Sequence, residues 1–76
     1  MNKTRRKSLA EIAEQLECLR DELETLRDEE QEYYDNMPEG IQNSGRGEAA
    51  EEAISNLDDA FDNIDSAIGC INAAIE

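Results

Sequence analysis

Apolar residues recur along this chain at alternating steps of three and four. The first series is Leu9, Ile12, Leu16, Leu19, Leu23 and Leu26, then Glu30, Tyr33 and Met37. This is the heptad period of a helix that packs along its length against another helix. Positions a are 9, 16, 23, 30 and 37, and positions d are 12, 19, 26 and 33. Ser8 with Glu11 has the S-x-x-E spacing of a capping box just ahead of the series, which predicts a helix start at residue 8. Residues 1–7 then read as a basic, flexible arm. Pro38 disfavours helical geometry at Met37, so the first helix is predicted over 8–36.

Residues 37–44 are the turn-rich stretch. Ser44 is a suitable N-cap for the next helix, although Gly45 and Gly47 weaken its first turn. A second series follows: Ala50, Ile54, Leu57, Phe61, Ile64, Ile68, Ile71 and Ile75. It predicts a second helix over 45–75 and carries an internal repeat, AISNLDD, AFDNIDS, AIGCINA, AIE. With Ile54, Phe61, Ile68 and Ile75 at a, the alanines Ala53, Ala60, Ala67 and Ala74 all occupy g.

Two long helices joined by a short loop are antiparallel neighbours. The predicted fold is therefore all-α, an antiparallel, coiled-coil-like helical hairpin in one domain. Facing d with d pairs Leu26 with Leu57, Leu19 with Ile64 and Ile12 with Ile71. Facing a with a pairs Leu23 with Phe61, Leu16 with Ile68 and Leu9 with Ile75. The e positions give an independent check. Arg27 then meets Asp58, Arg20 meets Asp65, and Tyr34 lies by Glu51, so both bases of the first helix body face acids. Such pairs set orientation and register more than stability. The a/d/g face of the second helix is wider than a two-stranded seam needs. It predicts a homodimer that packs second helix on second helix through Ala53, Ala60, Ala67, Ala74, Ile54, Phe61 and Ile68, giving a four-helix bundle.

Charge narrows the functional classes. The chain has 20 acids, seven bases and a formal net charge of −13. Lys3, Arg5, Arg6 and Lys7 make the first seven residues +4, which leaves −17 on the rest. So acidic a body repels nucleic acid and anionic membrane. No apolar run is long enough for a membrane span or a signal-peptide core. There is no His, no phosphate-binding loop, no nucleophile–base set and no zinc spacing, so neither a catalytic residue, a cofactor nor a metal is expected. Cys18 and Cys70 both fall at position c, point outward on different helices, and predict reduced thiols. Position f of the first helix reads Glu14, Asp21, Asp28, Asp35. This acidic stripe and Tyr34 are the candidate partner-binding residues.

The loop is more distinctive than the heptads. Glu32-Tyr33-Tyr34-Asp35-Asn36-Met37-Pro38-Glu39, then Gln42-Asn43-Ser44, Arg46, Glu48-Ala49-Ala50-Glu51-Glu52-Ala53 and Ile54, resembles a group of short acidic proteins carried by bacteriophages and prophages. Their usual form has a tyrosine pair, Asp-Asn-Met-Pro-Glu, a Gln-x-Ser-Glu-Arg stretch and a heptad helix. This chain departs from it at Gly40 and at Gly45, where Glu is usual. The resemblance implies a viral origin and a cytoplasmic setting in the host cell, and no mechanism. The expected function is a non-enzymatic interaction module that binds a host or phage protein, for example a host defence factor it inhibits or regulates. The alternatives are an acidic nucleic-acid mimic that blocks a DNA- or RNA-binding protein, and a structural bundle protein.

Overall fold

The computed structural model describes all 76 residues. The chain is all-helical and doubles back once: α1 (Lys3–Asp35) and α3 (Gly45–Ile75) run side by side, joined through a single turn of helix, α2 (Glu39–Gln42). The molecule measures 58 × 14 × 13 Å, with a radius of gyration of 17.2 Å. A compact chain of this length has a radius of about 11 Å, so the hairpin is a rod.

The first helix begins earlier than the capping box predicts. Asn2 is the N-cap, and its Oδ1 accepts a hydrogen bond from the Arg5 amide at 2.7 Å. Asn is among the strongest N-caps, and Thr4-Arg-Arg-Lys contains nothing that breaks a helix. The helix therefore continues back through the basic arm, and Ser8 lies inside it. The start at residue 8 and a separate non-helical arm are corrected accordingly. The first turn contains no acid, so its bases stand against the positive end of the helix dipole.

The loop is specified by its residues. Asn36 ends α1, with its amide donating to the Glu32 carbonyl, and Met37 folds under the turn and is buried. Pro38 starts α2, and its carbonyl accepts from the amides of Ile41 and Gln42. Gln42 Nε2 donates to the Tyr34 carbonyl at 3.0 Å. Ser44 precedes α3, but its hydroxyl donates back to the Ile41 carbonyl instead of capping the new helix. Gly47, buried in the first turn of α3, allows that turn to touch the loop. A Cβ there would lie 1.9 Å from the Gln42 carbonyl oxygen, so a glycine that weakens the helix is what closes the hairpin.

The seam differs from the symmetrical a/d expectation on one helix. On α3 the a residues Ile54 and Ile68 are buried, and the d residues Leu57, Ile64 and Ile71 are half-buried. On α1 and the turn after it the sheltered residues are Leu9, Ala13, Leu16, Arg20, Leu23, Arg27, Glu30, Gln31, Tyr34 and Met37. All but Gln31 are a and e positions. The d row is turned outward: Ile12, Leu19, Leu26 and Tyr33 are 45%, 53%, 56% and 45% exposed. The expected burial of that row against α3 is thus corrected. The reason lies at e, where Ala13 is small and Arg20, Arg27 and Tyr34 all find hydrogen-bonding partners on α3. Those partners rotate α1 toward the e side.

Candidate interaction surfaces

The e edge is built from side chains that reach across the hairpin. Arg20 Nη1 lies 2.7 Å from Asp65 Oδ1, and Arg27 Nε lies 2.7 Å from Asp58 Oδ1. Each guanidinium also touches an acid of its own helix, Asp21 and Asp28 respectively, at 3.3 Å. Each arginine is thereby held between two carboxylates. The hydrogen bond that Arg20 donates to Asp65, opposed by desolvation and helped by Asp21, raises the Arg20 pKa. The hydrogen bonds that Arg27 donates to Asp58 and then to Asp28 raise its pKa likewise. The Arg20 guanidinium carbon also stands 5.8 Å from the centroid of the Phe61 ring, within cation–π range. One heptad beyond Arg27, the Tyr34 hydroxyl donates to Glu51 Oε1, which raises the phenol pKa above its ordinary value.

The acidic stripe is exposed along its length at Glu14, Asp21, Asp28 and Asp35. It is not uniformly bare, however. Asp21 and Asp28 are the arginine partners just described, and Asp35 Oδ1 accepts from Gln31 Nε2 at 2.9 Å. Tyr34 is half-buried and engaged within the hairpin, which makes it a hairpin fastener more than a free binding handle. Its neighbour Tyr33 accepts a hydrogen bond from Arg46 Nη2 at 2.9 Å, tying the start of α3 to the end of α1.

The opposite edge is apolar and open. Around a helix, g neighbours d, and in an antiparallel pair both lie on the side away from e. Ile12, Leu19, Leu26 and Tyr33 of α1 therefore share an edge with the g alanines of α3. Ala53 and Ala60 are half-buried there, and Ala67 and Ala74 are exposed. Of the residues assigned from sequence to a dimer face, the alanines keep an outward edge. Ile54 and Ile68 do not: they are 8% and 5% exposed and fill the seam of the single chain. Phe61 is half-buried with Arg20 over its ring, on the e side. Sequence reasoning missed the exposed d row of α1. The available signal was that both bases of the α1 body stand at e.

The concavities of the surface are shallow and rimmed by carboxylates. One is lined by Glu24, Arg27, Asp28, Asp58 and Phe61, and another by Glu22, Thr25, Leu26 and Glu29. No three His, Cys, Asp or Glu side chains are grouped to hold a metal ion. Cys18 and Cys70 are exposed free thiols. No helix is long and apolar enough to cross a membrane. Compared with protein-family models, curated proteins and solved structures, the chain finds no match.

Proposed function

We propose that this chain is a non-enzymatic protein–protein interaction module: a hairpin that dimerises into a four-helix bundle and presents an acidic surface to a basic site on a host or phage protein. The observation that carries this reading is the unequal dressing of the rod. One edge is a row of large apolar residues that a soluble monomer rarely leaves open. The solvated faces are dominated by acids, at a net −13 for the chain. The resemblance of residues 30–65 to short phage proteins supports a setting in the cytosol of an infected bacterium and a role in regulating or inhibiting a host factor.

A nucleic-acid mimic is the second reading, and charge density favours it. Two copies carry −26 along 58 Å, or about one net charge per 2.2 Å. Duplex DNA carries one per about 1.7 Å. The engagement of Asp21 and Asp28 by arginines weighs the other way.

Affinity capture from bacterial lysate at low and high salt tests both. A specific protein that binds the purified chain, weakened but not abolished at high salt as an acidic-to-basic contact is, and is not displaced by duplex DNA is the result expected of an interaction module. A nucleic-acid-binding protein released steeply by salt and displaced by duplex DNA supports the mimic instead. Recovery of no specific partner at either salt overturns both.

A further inference from the structure

We infer that the open edge is covered by a second copy of this chain in a crossed arrangement, with α1 of each protomer lying on α3 of its partner. This rests on the bundle reading above and gives it a geometry. The hairpin exposes 5474 Å². A compact monomer of its 8.5 kDa mass exposes about 4,700 Å². The excess, about 800 Å², comes with the rod shape, and it equals in size the share one partner contributes to a stable interface.

The two rows that edge this face fit each other. Ile12, Leu19, Leu26 and Tyr33 are large and exposed, and Ala53, Ala60, Ala67 and Ala74 are small. Both rows repeat every seven residues, about 10.5 Å of helix, so one good contact brings the other three with it. A two-fold axis along the rod places α1 over the partner's α3 without changing axial level. The register within the hairpin is then also the register between copies. The pairs Arg27–Asp58 and Arg20–Asp65 fix that register. They set Leu26 level with residue 59 and Leu19 level with residue 66. The nearest outward positions are Ala60 and Ala67. Each large residue thus meets an alanine, and because the axis is two-fold every contact occurs twice.

Charge favours this crossing over like-on-like packing. Leu26 is flanked by Glu22 and Glu29 on α1. Packing α1 on the partner's α1, which accompanies α3 on α3, brings these acidic rims together. Crossing sets them beside the alanine row, whose outer neighbours Asn56, Asn63 and Cys70 are neutral.

Cysteine pairing reads the arrangement directly. In a Cys18→Ser, Cys70→Ser background, Leu26→Cys protein is mixed with Ala60→Cys protein, oxidised mildly and resolved by intact mass. The crossed bundle gives the mixed disulfide in several-fold excess over either self-linked species. Self-linked Leu26→Cys dimers in excess overturn the crossing and leave the dimer standing. A monomeric mass for the wild-type chain by sedimentation at micromolar concentration overturns the dimer as well. The charged pair Leu19→Glu with Leu26→Glu supplies a second reading. It yields a monomer with its far-UV helical signal retained, because neither side chain is buried within the hairpin. A dimer that survives these two charges overturns the proposal.

Discussion

The two edges of this hairpin start from the same heptad and end differently. On the e edge, Arg20, Arg27 and Tyr34 reach Asp65, Asp58 and Glu51, and α1 is drawn in over them. On the d/g edge, Ile12, Leu19, Leu26 and Tyr33 are left largely in water. A helix with one neighbour can shelter only part of a wide apolar face. In this chain directed hydrogen bonds choose which part, and the remaining apolar surface stays exposed. Burial inside the chain therefore reports the fold, and exposure of equally apolar residues is what the proposed dimer rests on.

The largest contrast is between residues of the same chemical kind on the two surfaces. Ile68 is 5% exposed in the seam. Ile68→Ala should cost about 2–5 kcal/mol, as truncation of a buried aliphatic side chain does. Leu26, on the open edge, should behave oppositely. Leu26→Ala should change the stability of the isolated chain by no more than about 0.5 kcal/mol and weaken self-association. Urea melts run well below the dimerisation concentration separate the two, because association otherwise adds to apparent stability. Equal losses in the two variants under those conditions would dissolve the distinction between the edges.

Gly47→Ala sharpens the comparison from the loop end. An ordinary helix gains from this change, by up to about 1 kcal/mol. Here the added Cβ meets the Gln42 carbonyl carbon and oxygen at 2.4 and 1.9 Å. Backbone must move to admit it, at a cost of about 1–3 kcal/mol typical of overpacking. Both edges depend on the register this turn sets, so destabilisation and a changed hairpin register should appear together. Thermal unfolding followed by circular dichroism measures the first, and amide exchange at residues 36–47 locates the second. A stabilised Gly47→Ala variant would mean that the turn is not held by this contact.

Much of this architecture was legible in the sequence. The heptad steps place both long helices, and Pro38 and Ser44 bracket the turn. Both bases of the α1 body standing at e identify the register, because only antiparallel pairing brings each to an acid. The rotation of α1 was not legible from apolar periodicity, which treats a/d and a/e as neighbouring stripes. The choice depends on the reach of arginine and tyrosine across an edge and on Ala13 being small enough to enter it. The early start at Asn2 was hidden by a second capping signal at Ser8. Gly47 reads as a weakness until the Gln42 carbonyl is seen against it. Of the residues assigned to a second-copy face, the g alanines lie on an outward edge of the hairpin, whereas Ile54 and Ile68 are consumed by its own seam.

The smallest effect tests whether the e edge is held by the hydrogen bonds seen there. The Tyr34 hydroxyl donates to Glu51, and this bond is the main reason its pKa lies above the ordinary 10.0. A folded-state pKa raised above the unfolded one means that the protonated phenol is favoured by folding. Its contribution is complete below about pH 10 and is lost as pH rises through the higher folded value. Beyond that, a phenolate beside the Glu51 carboxylate repels it. Wild type should therefore melt slightly above Tyr34→Phe at pH 8, and the two curves of melting temperature against pH should converge and cross on the alkaline side. Two curves that coincide throughout would show that Tyr34 contributes through packing of its ring alone. In that case the Arg20–Asp65 and Arg27–Asp58 pairs carry the closing of this edge by themselves.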